Sequence, residues 1–116
     1  MTLRLTHITF DCEAPRTVAE FWSAALDRPI DDSPSEFFAS IGMSSEDRPR
    51  WLFIKVPETK TAKNRMHIDM TTDDRESEIA RLVELGATRM EDCEEWGISW
   101  SVMADVEGNE FCVAEH

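Results

Sequence analysis

The fold is most legible in Lys63-Asn64-Arg65-Met66-His67-Ile68-Asp69-Met70. It follows a Pro- and Lys-containing connector and alternates with period two. Met66, Ile68 and Met70 point one way, His67 and Asp69 the other, as successive residues of a strand do. One face can cover a core while the other presents an imidazole and a carboxylate. Leu5-Thr6-His7-Ile8-Thr9-Phe10-Asp11 has the same design. There Ile8 and Phe10 share one face, and His7, Thr9 and Asp11 share the other. Laying His7 on His67 superposes Ile8 on Ile68, Phe10 on Met70 and Asp11 on Thr71. The chain therefore reads as a duplicated unit with a polar strand face in each half.

After the first strand (about Leu3 to Asp11), Ala14-Pro15 suits a helix entry, with Pro in the first turn. Thr17 and Glu20 also stand in capping-box spacing, so either can begin the helix. Val18, Phe21, Trp22, Ala25 and Leu26 follow the stripe of a half-buried helix, which Asp27-Arg28-Pro29 ends. Strand material follows at Glu36 to Ile41, closed by Gly42, and at Arg50 to Val56, which Pro57 stops.

The second half repeats the plan. Asp73 or Asp74 caps an acidic-entry helix with Ile79, Leu82 and Val83 as its stripe and Gly86 at its end. Leu26 follows His7, and Leu85 follows His67, at nearly the same interval. Strands are expected at Thr88 to Glu91, Ile98 to Ala104 and Glu110 to Ala114. The turn chemistry of Asp105-Val106-Glu107-Gly108-Asn109 separates the last two. Each half is then strand, helix, three strands: module 1 about 1–57, connector about 57–64, module 2 about 65–116.

The 116 residues, 41% of them hydrophobic, allow one domain or two small modules sharing a core. No run resembles a membrane span, and the N-terminus lacks signal-peptide order. Cys12, Cys93 and Cys112 make an odd count without a Cys-x-x-Cys pair, which argues against a disulfide framework and a zinc ribbon. A reduced, cytoplasmic setting is the expectation. Twenty-four acids against twelve bases give a net charge of −12. Nucleic acid and anionic membrane are poor partners for such a surface, and solubility is its simplest use.

Several segments together carry a resemblance to a known family. They are Ala19-Glu20-Phe21-Trp22, Val56-Pro57-Glu58-x-Lys60, Lys63-Asn64-Arg65-x-His67-x-Asp69, Leu85-Gly86-Ala87 and Gly108-Asn109-Glu110-Phe111-Cys112-Val113. In their order and spacing the chain resembles the glyoxalase/bleomycin-resistance/dioxygenase (vicinal oxygen chelate) superfamily, and most closely its bacterial glyoxalase-like branch. The resemblance implies an α+β fold of two repeated βαβββ modules forming a cup-shaped mixed sheet around a central cavity. It also implies a small-molecule ligand and, as in many members, a homodimer.

In metal-dependent members, leading-strand histidines and closing-strand glutamates hold one divalent ion. The resemblance thereby nominates His7 and His67 as ligands. The usual closing carboxylate position holds Cys112 here. Glu110 lies on the same strand face, about 6.6 Å nearer the turn, and is nominated in its place. The first-half counterpart falls near Leu52 or Ile54, which cannot ligate, and Val106 replaces the proline usual in the turn. Two imidazoles and a carboxylate suit iron or manganese, and a thiolate in the set suits zinc; nickel is also an option. Asp69 and Glu110 are the acid–base candidates, with Thr9, Asp11, Trp96 and Cys112 lining the cavity.

Two functions follow. One is a lyase- or isomerase-type enzyme acting on a small oxygen-rich substrate, with or without metal. The alternative is a metal-free, bleomycin-resistance-like protein that binds a cationic aromatic compound.

Overall fold

The computed structural model describes residues 3–32 and 34–115. The chain divides into two compact units, Met1–Thr59 and Lys60–His116. Each has α+β architecture, with one helix and its own mixed sheet.

In the first unit, strand β1 (His7–Cys12) leads into helix α1 (Pro15–Leu26), followed by β2 (Phe38–Ile41) and β3 (Arg50–Lys55). The sheet order is β1-β3-β2, with β3 parallel to β1 and antiparallel to β2. Pro15 opens α1, and Ala14 at the N-cap supplies no side-chain bond, so Thr17 is not the cap. The helix buries Val18, Ala19, Phe21 and Trp22. Trp22 lies 5.7 Å from Phe10 and 5.2 Å from Trp51 between ring centroids. The α1 side of the sheet is thus the one carrying Phe10, Trp51 and Phe53, and Trp51 is a core residue. The register leaves His7, Thr9 and Asp11 on the opposite face beside Arg50, Leu52 and Ile54.

The first of the three strands expected after α1 is reduced to a single bridge, Ile30 to Ile41. Asp31 braces it by accepting from Ser40 Oγ at 2.7 Å and from the amides of Gly42 and Met43. Burial pushes the Asp31 carboxyl up. These bonds, helped by the Arg28 charge, outweigh it and hold the group below its ordinary range.

The second unit is a complete βαβββ module: β4 (Ile68–Thr72), α2 (Arg75–Leu85), β5 (Thr88–Glu95), β6 (Ile98–Ala104) and β7 (Glu110–Glu115). The sheet order is β4-β7-β6-β5, with β4 parallel to β7 and the other pairs antiparallel. The leading strand starts at Ile68 rather than Lys63. Asn64 gives its amide to a side chain, Glu110, instead of to a ladder. Asp74 caps α2, accepting from Ser77 N at 3.1 Å, and Glu76 and Glu78 occupy the first turn. Ile79 and Leu82 are buried as the stripe requires, but Val83 stays 46% exposed.

Arg89 on β5 ties Glu76 of α2 to Asp92. Strand β5 runs well past Glu91 because the hairpin to β6 is only the two-residue turn Trp96-Gly97. Both residues have positive φ, 53° and 75°, as in a primed turn. Asp105 organises the last turn, accepting from the amides of Glu107 and Asn109 and from Asn109 Nδ2. Among the described residues no helix is long and apolar enough to cross a membrane.

Gly86 closes α2 at φ 120°, and a Cβ there would come within 2.8 Å of Val106 Cγ1. Gly86→Ala should therefore destabilise the protein by about 1–3 kcal/mol through backbone strain and the clash together. Urea unfolding measures this, and a cost near zero would contradict it.

Candidate metal centre

Three chemistry-bearing side chains meet on one face of the second unit's sheet. The register pairs Asp69 of β4 with Cys112 of β7, and His67 stands just before β4 on the same side. His67 Nδ1 lies 2.8 Å from Asp69 Oδ1 and 3.8 Å from Cys112 Sγ. One ligand atom from each residue lies within 4.8 Å of the other two. Cys112 is buried, while the His67 and Asp69 side chains are 44% and 66% exposed. A sulfur seated in the sheet thus carries an imidazole and a carboxylate at its open side.

Burial pushes the Cys112 thiol up, the Asp69 charge adds to this, and the group titrates at about 11. Without a cation beside it the sulfur is a neutral thiol at ordinary pH, and a poor nucleophile. The geometry also disfavours a thiol–imidazole–carboxylate relay. Such a relay needs sulfur and carboxylate at opposite ring nitrogens, whereas both approach Nδ1 here. One nitrogen, one oxygen and one sulfur within 4.8 Å of one another are instead of the kind and spacing that could hold a divalent ion. Soft sulfur and borderline imidazole suit zinc in particular.

Glu110 has other partners. Its Oε1 accepts from Asn64 N at 2.7 Å, and its Oε2 lies 2.8 Å from Lys60 Nζ. Burial pushes its carboxyl up, but the Lys60 and Asn64 hydrogen bonds win, and the net shift is downward. The side chain fastens the connector at 60–64 to the start of β7. The structure therefore brings together His67 and Cys112, adds Asp69, and occupies both Glu110 oxygens elsewhere.

Among the remaining candidates, His7, Thr9 and Asp11 share the face of the first unit's sheet opposite α1. Trp96 is 87% exposed at the β5–β6 turn. Asp69 as a partner of His67 was readable from the two-residue spacing in the leading strand. The engagement of Glu110 was not, because its partners lie far back in the chain.

The Glu110 contacts predict a pH dependence. A carboxyl with a folded pKa below its unfolded value stabilises the fold above the unfolded pKa. That contribution is lost as pH falls through the folded value. Glu110→Gln should cost about 1–3 kcal/mol at neutral pH. The difference should vanish in acid, starting below about pH 4.3. Urea midpoints of both proteins across that range test it, and a pH-independent difference would contradict it.

A profile described as a glyoxalase-like domain matches residues 7–114, nearly the whole chain. No match is found among curated proteins. Among solved structures, a glyoxalase/bleomycin resistance protein/dioxygenase family enzyme from Burkholderia phytofirmans PsJN is similar. It has 14% identity, 97% of this chain and 98% of that one covered, and a TM-score of 0.77. A glyoxalase-related enzyme from Fulvimarina pelagi covers 97% of this chain and 88% of its own at 13% identity, with a TM-score of 0.73. Lactoylglutathione lyase from Agrobacterium tumefaciens covers 97% and 92% at 12% identity, with a TM-score of 0.68. At these identities the three structures speak to fold alone. With the βαβββ plan of the second unit and the profile match over residues 7–114 taken together, the chain belongs to the glyoxalase-like domain family.

Proposed function

We propose that the protein is a lyase- or isomerase-type enzyme that processes a small oxygen-rich molecule at the polar face of β4 and β7, with a divalent metal held by His67, Asp69 and Cys112. The observation that carries this reading is the convergence of those three donors. A divalent ion there would supply Lewis acidity and open positions for two neighbouring substrate oxygens. Cys112 anchors the site from within the sheet, and its buried sulfur gains most from a neighbouring cation. The contact of Asp69 Oδ1 with His67 Nδ1 holds the two donors together, and an ion between them would take its place. Asp69, the most exposed of the three side chains, would give one carboxylate oxygen to the ion and keep the other to accept a proton from substrate. Glu110 is a positioning residue that keeps the connector closed against β7. Three free cysteines support a reduced, cytoplasmic setting, and homodimerisation belongs to the same reading.

The metal-free alternative is favoured by one observation, the exposed Trp96 indole just after Glu94 and Glu95 in the chain, which suits a planar cation. Thermal-shift screening of aromatic cations and 2-oxo acids, with and without zinc, separates the two readings. The enzyme reading expects 2-oxo acids to stabilise only metal-loaded protein. Stabilisation by cations in metal-free protein, weakened by salt, would overturn it in favour of the alternative.

A further inference from the structure

On the first unit's sheet, His7 of β1 pairs in register with Arg50 of β3. Directly paired residues of adjacent strands project to the same face, on backbones about 4.8 Å apart. His7 Nε2 and Arg50 Nε are both buried, and neither has a hydrogen-bond partner among the described residues. The Arg50 Nε–H is a donor in every state of the side chain. On His7, Nδ1 sits 3.1 Å from the Thr6 hydroxyl. When that hydroxyl donates, the ring proton lies on Nε2, so Nε2 is a donor as well. In that tautomer both groups are buried donors without an acceptor, which is costly, and the partner they lack is an acceptor.

Nη2, which shares a guanidinium edge with Nε, reaches Ser45 O at 3.4 Å, while the Nε–H of that edge still has no acceptor among the described residues. In the second unit, Ile68 pairs with Phe111, so the position preceding that pair is held by His67 and Glu110. There a lysine neutralises the acid. The first unit has a base in the corresponding place. A chain of net charge −12 thus keeps a guanidinium and an imidazole side by side on this sheet face.

We infer that His7 and Arg50 form an oxyanion-binding site that takes a carboxylate or phosphoryl group of a small-molecule ligand. A planar guanidinium edge beside an imidazole N–H presents two donors to two oxygens of one such group. The site does not depend on the metal reading, because neither residue belongs to the donor set of the second unit.

The test is an NMR titration of full-length, metal-free protein with ¹⁵N-labelled arginine and histidine. The probes are acetate and inorganic phosphate, with chloride at matched ionic strength as control. Acetate or phosphate should produce saturable shifts at Arg50 Nε–H and His7 Nε2, and chloride should not. Acetate preferred over phosphate identifies a carboxylate site, and the reverse order a phosphoryl site. Arg50→Lys and His7→Phe should each weaken the anion at least about tenfold. His67→Ala should leave the titration unchanged, so failure of the metal centre and failure of this site can be told apart. Shifts that chloride reproduces, or exchange cross-peaks showing a bound water satisfying both donors in the absence of anion, would overturn the inference. Should either variant fail to fold, the wild-type titration alone still decides it.

Discussion

Trp22→Ala should cost the protein about 3–5 kcal/mol, the usual penalty for emptying an aromatic site in a packed core. Trp22 is 1% exposed. Its ring meets Phe10, Phe21 and Trp51 at centroid distances of 5.2 to 5.7 Å. No neighbour can collapse into the space without dragging α1 or the sheet along. Against a typical domain stability of about 5–15 kcal/mol, a loss of that size leaves little margin. Trp96→Ala is the control. That indole is 87% exposed, and its removal should shift stability by less than about 0.5 kcal/mol. Equal effects at the two positions in urea unfolding would contradict the core described for the first unit.

The second large effect concerns the metal centre. Removing one of three protein ligands should cost more than removing an outer partner, which is worth about 10–100-fold in affinity. His67→Ala should therefore weaken zinc binding more than about 100-fold, and Cys112→Ser should change the metal preference as well as the affinity. Competition titration against a chromophoric chelator reads both. His7→Ala is the informative contrast, with affinity expected to stay near wild type. An equal loss there would restore the metal role that the family resemblance implies for His7, and would remove it from the oxyanion site.

The alternation around His67 and Asp69 showed the leading strand and its polar face directly, because period two is a local property. The same holds for α1, whose stripe of Val18, Phe21 and Trp22 is buried as spaced. What the sequence hid was long-range. Glu110 looked available until the connector folded back and gave it Lys60 and Asn64. Strand β5 looked short because Glu91-Asp92-Cys93-Glu94-Glu95 has little β-propensity. It is held as a strand by pairing with β6 on one side, and its charges suit an edge. Arg50 read as the charged end of a strand, and only the parallel register with β1 sets it beside His7. Asp69 was legible as a neighbour of His67, but its pairing with Cys112 depends on the register of β4 against β7.

X-ray absorption on zinc-loaded protein shows whether His67, Asp69 and Cys112 hold one metal ion. One sulfur scatterer is expected at about 2.3 Å, with nitrogen and oxygen scatterers at about 2.0–2.2 Å. The sulfur should be lost in Cys112→Ser. A shell of nitrogen and oxygen alone in the wild-type protein would contradict it.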